Sequence, residues 1–271
     1  MKTIASRDNP TFKALRALAA DPRRHGRTLL DGPHLLAAYL DKVGRPLRVV
    51  VSETGAAHGE VQGLLQRCAG VETLALRDAL FRELAGTETP VGILAEIALP
   101  EIEVAAVTAS CVLLDAVQDA GNVGTILRTA AAAGVRDVVL GSGCAGAWTP
   151  KVLRAGQGAH FDLVIRERVD LPAFLHDYPG TGIAAVAREG TSLYDLDLAG
   201  PVAWIFGNEG AGVSEKLCAA VSSGTALAAR HLATIPLAPG CESLNVAAAA
   251  AICLFEERRQ KLATMRKIQE T

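Results

Sequence analysis

Aromatic side chains are scarce in this chain of 271 residues, at 4%, although half of it is hydrophobic. The apolar mass is Ala, Val and Leu, which suits helices packed on a parallel sheet better than an aromatic-rich sandwich. No two cysteines have CxxC spacing; the six are Cys68, Cys111, Cys144, Cys218, Cys241 and Cys253. Cys111 and Cys253 lie inside apolar runs, so buried free thiols in a reduced compartment are expected, not disulfides or zinc ligands. The opening MKTIASRDNP lacks the apolar stretch of a signal peptide. The longest unbroken apolar run, Val246 to Phe255, is about ten residues, too short to span a bilayer. These absences predict a soluble, cytoplasmic protein with no membrane partner. An excess of charge of one sign is also missing: the net charge is −2, which by itself says nothing for a nucleic-acid partner.

The distribution of that charge is uneven. Residues 1–30 carry Lys2, Arg7, Lys13, Arg16, Arg23, Arg24 and Arg27 against Asp8 and Asp21, a balance of +5. A basic end on a mildly acidic body suits a polyanion contact at that end, and a solvated helix is the plainer alternative.

The length accommodates two modest domains. In residues 1–100, Phe12, Leu15 and Leu18 have helical spacing over 10–20. Leu29, Leu35, Leu36 and Leu40 suggest a second helix after the Asp31-Gly32 turn. Arg48 to Ser52 reads as a strand, Val61 to Cys68 as a helix and Val91 to Ala95 as a strand. Pro100 and the acidic residues beside it break both periods. From 106 to 271, short apolar strands at 111–115, 137–140, 161–165, 182–187, 202–206 and 233–237 alternate with helices. Their continuous hydrophobicity predicts an α/β domain with a parallel sheet covered by helices on both faces. One long helix from Ser243 to about Lys261 closes the chain.

Three segments at the ends of these strands hold most of the unusual polar and glycine content. Asp119-Ala-Gly-Asn122-Val-Gly124-Thr-Ile-Leu-Arg128 follows the first strand. Asn122 is placed as a helix cap, Gly134 as the terminator, and Arg128 about two turns in. Gly207-Asn208-Glu209-Gly210-Ala211-Gly212-Val213-Ser214 follows strand 202–206, where ligands of open α/β sheets bind. Its glycines let a ligand approach the backbone. Ile235-Pro236-Leu237 runs through Pro239-Gly240 to Glu242-Ser243-Leu244-Asn245-Val246. Ser243 can cap the last helix, which leaves unexplained why Glu, Ser and Asn cluster at that end.

These three segments, in this order, resemble the three motifs of the SpoU/TrmH methyltransferases. The stretch Pro150 to Phe161 also resembles a family segment, and the likeness covers roughly residues 106–260. More weakly, Ser6 to Pro10, Leu30-Asp31-Gly32 and Thr89 to Ala95 are similar to a ribosomal-protein-like α/β/α substrate-binding domain. Two features depart from the pattern. Asp31 stands where relatives usually carry Glu, and the stretch from Gly207 to Ile235, including Ser222 to Thr225, is longer than in most.

The resemblance implies a homodimer with a C-terminal trefoil knot, a rare exception to the usual connection rules. It implies an RNA substrate, most naturally rRNA, and S-adenosyl-L-methionine as cofactor. The cofactor would be held by backbone at Ala187, Gly207, Ile235 and Leu244. Transfer to a ribose 2′-hydroxyl would use Arg128, Asn122, Glu209, Ser243 and Asn245. A guanidinium with a pKa above about 12 is a poor base, so Arg128 is better cast as anchoring a phosphate and polarising the hydroxyl. Lys13, Arg16, Arg23 and Arg24 would grip RNA backbone. Two other readings compete. One is a catalytically silent RNA-binding protein on the same fold. The other is an NAD-type oxidoreductase, on the GxGxxG at Gly141 to Gly146 with Glu167 about twenty residues on; against it, Thr149-Pro150 reads as the true helix start.

Overall fold

Helix α1 (Pro10–Ala20) starts where the Asn9 side chain accepts hydrogen bonds from the Thr11 and Phe12 amides and Pro10 supplies a preset φ. Its Phe12, Leu15 and Leu18 are buried, as their spacing predicts. The computed structural model describes residues 2–102, 105–222 and 230–269. The unusually long Gly207–Ile235 stretch therefore falls partly outside the described residues, at 223–229.

The chain divides into two compact units. The first comprises residues up to Glu101 together with Gly146–Asp162, and the second Ile102–Ala145 with residues from Leu163 onward.

In the first unit, strands β1 (Lys2–Ile4), β2 (Arg27–Asp31), β3 (Arg48–Ser52), β4 (Glu72–Leu76) and β5 (Ile93–Ala98) form a sheet of order β1-β4-β3-β5-β2. Strand β5 is antiparallel to both β2 and β3; the other pairings are parallel. Helices α1, α2 (Pro22–His25), α3 (Pro33–Lys42), α4 (Gly59–Arg67) and α5 (Asp78–Leu84) connect the strands. The second helix begins at Pro33, after Gly32 turns the chain at φ 100°, as expected; Leu29, grouped with it by sequence, is buried in β2 instead. Strand β5 runs on to Ala98, three residues past its expected end, because its ladder continues to Arg27.

The segment Gly146–Asp162, which sequence places within 106–271, packs in this first unit. It carries helix α7 (Pro150–Gly156). Val152 and Leu153 are fully buried. Thr28 Oγ1 donates to the Trp148 carbonyl at 2.7 Å, Arg154 pairs with Asp31 at 2.9 Å, and Lys42 pairs with Asp162.

The second unit is a seven-stranded parallel sheet. Its strands are β6 (Cys111–Leu114), β7 (Asp137–Leu140), β8 (Val164–Glu167), β9 (Thr181–Ala185), β10 (Thr191–Ser192), β11 (Val202–Phe206) and β12 (Arg230–Thr234), in the order β10-β12-β9-β11-β6-β7-β8. Its helices are α6 (Ala120–Ala133), α8 (Leu171–Asp177), α9 (Glu215–Ser222) and α10 (Val246–Gln269). Leu113, Ala203 and Ile205 pack with Leu171 and Leu175 of α8 and Leu217 and Val221 of α9. The alternate residue Trp204 donates from Nε1 to Glu257 of α10 on the opposite face, at 2.6 Å. Both faces are thus covered, as continuous hydrophobicity requires. Cys111 and Cys253 are buried, and all six cysteines are free. No helix among the described residues is long and apolar enough to cross a membrane.

Two strands lie three residues from their expected places. A 3₁₀ turn occupies Ala159–Asp162, so β8 starts only at Val164. Strand β12 ends at Thr234, and Pro236 and Pro239, which lack an N–H, keep the next residues out of the ladder. The closing helix begins at Val246 and extends to Gln269, beyond the Lys261 expected from sequence.

Candidate active site

The site is built where β6, β9, β11 and β12 end. Helix α6 follows β6 and is capped by Asp119, whose carboxylate accepts from the Asn122 amide at 2.8 Å; Gly134 closes it in the left-handed conformation. Sequence names Asn122 as the cap. It sits instead in the first turn, and this frees its side chain to reach outward.

Three of the expected site residues are joined in one chain of hydrogen bonds. Asn245 Oδ1 accepts from the Ala247 and Ala248 amides and so caps α10, a role sequence assigns to Ser243. That leaves Asn245 Nδ2 to donate, and it does so to Asn122 Oδ1 at 3.0 Å. Asn122 Nδ2 must then also donate, and its acceptor is Glu209 Oε1 at 3.0 Å. The amide orientations are therefore dictated from the helix cap outward. Glu209 further accepts from the backbone N–H groups of Asp119 and Gln118 at 3.1 and 3.3 Å. Burial opposes its ionisation, but the hydrogen bonds from Asn122 and these amides outweigh burial and hold its carboxyl below the usual glutamate value.

The loop carrying Glu209 is stitched into place by its own Asn208 and by Asp115, the second of which sequence reasoning passes over. Asn208 and Gly212 exchange backbone hydrogen bonds at 2.9 Å, and Asn208 Oδ1 accepts from the Gly210 and Ala211 amides. Asn208 Nδ2 donates to the Ala116 carbonyl at 2.9 Å, and Ser214 N–H donates to Asp115 Oδ2 at 2.8 Å. Ala116 itself holds φ 54°, a left-handed conformation at the turn between strand and helix. A Cβ on Gly207 would lie 2.1 Å from the Gly212 carbonyl carbon, so only glycine closes this loop. The signal for Asn208 and Asp115 lay in sequence all along: both sit inside or beside the polar segments after β11 and β6.

These loops surround a cavity of about 490 Å³. Ala187, Gly207, Ile235 and Leu244, the four expected cofactor contacts, all line it, together with Glu209, Ser243 and Asn245. Among the described residues, the amides of Ile235, Leu237 and Leu244 have no backbone acceptor. Arg128 does not line the cavity; it is exposed and without a partner among the described residues. In the first unit, Lys13 pairs with Asp8 at 2.9 Å, while Arg16, Arg23 and Arg24 are exposed without partners among the described residues.

The glycines at 141–146 do not open a helix. They lead to Thr149 and Pro150, where α7 begins, and the Ala145 amide donates to the Val117 carbonyl at 2.9 Å. The geometry that a dinucleotide pyrophosphate needs, glycines opening a helix N-terminus, is absent from this described loop.

Residues 109–255 match the SpoU rRNA Methylase family. This chain belongs to that family. Among its relatives, 23S rRNA (guanosine(2553)-2′-O)-methyltransferase RlmP of Bacillus subtilis is 34% identical over 95% of this chain and 100% of its own length. An AdoMet-bound rRNA methyltransferase of Sinorhizobium meliloti is 25% identical, with a TM-score of 0.79 over 95% of this chain and 97% of that one. The SpoU methyltransferase AviRb of Streptomyces viridochromogenes, solved with AdoMet, shares the fold, with a TM-score of 0.82 at 24% identity over 94% of this chain and 98% of that one.

Proposed function

We propose that this chain is an S-adenosylmethionine-dependent methyltransferase that acts on a ribose 2′-hydroxyl of ribosomal RNA, as a homodimer in the cytoplasm. The observation that carries the reading is the Asn245–Asn122–Glu209 chain at a cavity lined by all four expected cofactor contacts. The naming of the Bacillus subtilis relative supports both rRNA and the 2′-oxygen.

The cavity suits this cofactor chemically. Phe206, Ile235, Leu237 and Leu244 offer apolar walls for a flat base, the unpaired amides offer donors, and Glu209 offers a carboxylate to a cationic ligand. When bound, S-adenosylmethionine supplies an electrophilic methyl group. Ala187, Gly207, Ile235 and Leu244 would hold it through backbone, while Asn122, Glu209, Ser243 and Asn245 orient the ribose by hydrogen bonds. Much of the rate then comes from positioning, an effect that reaches about 7–11 kcal/mol in good cases. Arg128 anchors the phosphate next to the target ribose and polarises the 2′-hydroxyl, whose proton passes to a phosphate oxygen or to water.

Because Arg128 stands outside the cavity lining of its own chain, the proposal has Arg128 of the partner subunit complete the site. It also includes a C-terminal trefoil knot. Support comes from the segment between β12 and α10, which lines the same cavity as the loops after β9 and β11. The N-terminal residues 1–100 act as a ribosomal-protein-like RNA-binding domain, with Lys13, Arg16, Arg23 and Arg24 on phosphates.

The test is methyl transfer from tritium-labelled S-adenosylmethionine to 23S rRNA purified from a strain lacking the gene. Label is expected in the RNA as an alkali-resistant dinucleotide, the mark of a blocked 2′-oxygen. Label on a base, or none on any RNA, overturns the proposal.

A further inference from the structure

A second built site lies within the first unit. Glu96 is one of the few buried charged residues, its side chain 5% exposed on strand β5. Both of its oxygens are occupied. Arg27 Nη1 donates to one at 2.9 Å and Arg48 Nη1 to the other at 2.8 Å. The guanidinium-bearing chains themselves reach outward, with side chains 54% and 26% exposed. Between them opens a pocket of about 210 Å³ lined by Arg27, Arg48, Glu96 and His25 on one side and by Ala14, Leu15 and Leu18 of α1 on the other.

One buried carboxylate needs one cation to balance it, and two are present. Glu72, itself 56% exposed, takes Arg48 Nε at 2.9 Å. On α2, whose His25 lines the pocket, the side chains of Arg23 and Arg24 are exposed and without partners among the described residues. Each guanidinium also has more N–H donors than the one or two it spends on carboxylates. The carboxylate fixes the two planar forks, and preorganised forks lose little freedom when they bind an oxyanion. The apolar side formed by α1 suits the sugar carbons next to a phosphate.

We propose that Arg27 and Arg48, oriented by buried Glu96, form a phosphate-binding site for the RNA backbone. The inference rests on the reading of the chain as an RNA methyltransferase and adds a specific site beyond the exposed helix arginines.

The experiment titrates binding of the holoenzyme to host 23S rRNA across a salt series. Arg27→Gln and Arg48→Gln should each weaken binding and flatten the log–log salt slope by about 0.7–0.9, the loss of one phosphate contact. Arg27→Lys should keep the wild-type slope. Cofactor affinity and the melting temperature of Arg27→Gln should match wild type, because Arg48 still balances Glu96. If Arg48→Gln does not fold, Arg27→Gln and Arg27→Lys decide the matter. A wild-type slope in Arg27→Gln overturns the site and leaves the arginines as partners of Glu96 only. Wild-type protein that binds RNA yet transfers no tritiated methyl sinks the enzymatic reading instead, so the two failures are separable.

Discussion

Arg128, proposed to act on the 2′-hydroxyl, makes no side-chain hydrogen bond or ion pair among the described residues. It projects from α6 with no partner among the described residues and no place in the cavity lining, so it is free to engage substrate. Arg128→Ala should abolish methyl transfer while leaving cofactor affinity nearly unchanged, measured by calorimetry beside the tritium assay. Wild-type turnover in that variant would remove it from the mechanism. His160 is the opposite case. It is 2% exposed, its Nε2 lies 2.9 Å from the Ala147 carbonyl, and its Nδ1 has no partner. Burial pushes it down to about 4, against 6.5 for an ordinary histidine. The unfolded chain therefore binds a proton that the folded one refuses between those values, and stability falls as pH drops through that window. Each unit is worth about 1.4 kcal/mol, so the full effect is on the order of 3 kcal/mol. Melting curves across pH 6.5 to 4 should show this loss, and His160→Gln should flatten it; an unchanged slope would mean that other groups dominate.

At the scale of elements, the first turn of α10 does two jobs with one side chain. Asn245 Oδ1 caps the helix while its Nδ2 orients Asn122. Asn245→Asp keeps the cap and loses the donor, so it should melt near wild type yet lose rate, on the order of 100-fold for a misplaced site. Asn245→Ala should lose that rate and about 1 kcal/mol of stability as well. Equal melting temperatures for the two variants would show that the cap contributes nothing. Much of this was legible beforehand. The strands β6, β7 and β11 follow from unbroken apolar runs, and α1 from its period. The errors came where local signals compete. Asn122, Asp119, Ser243 and Asn245 are all good capping residues, and only the folded register decides which caps. The run at 233–237 is apolar enough to read as a strand, yet Pro236 and Pro239 keep it out of the ladder and β12 ends at Thr234. Strand β2 was hidden because Leu29 and Leu30 share apolar character with the helix that follows. The glutamate at 96, buried within a strand, gave no local signal, since its partners lie 48 and 69 residues away.

For the whole molecule, the dimer and the RNA grip are separate expectations. Light scattering should give twice the 28.2 kDa chain mass; a fully active monomer would sink the shared site. Reversing Arg16, Arg23 and Arg24 to Glu should raise the RNA Michaelis constant and flatten the salt slope, with cofactor affinity intact, because none of the three lines the cavity at the strand ends. Identical salt slopes would leave these arginines as ordinary solvated charges.

The exchange of Gly146–Asp162 into the first unit has a practical consequence for how the gene can be cut. The chain passes between the two units three times, near residues 101, 145 and 162. A protease nick in the connector after Glu101 therefore leaves residues 1–101 covalently separate, held to Gly146–Asp162 by packing within the first unit alone. A fragment beginning at Ile102 would carry Val152 and Leu153 away from the unit that buries them, and would present that apolar surface to water as an aggregation hazard. The two halves are not interchangeable modules, and an N-terminal half grafted from a relative must bring its own version of this segment.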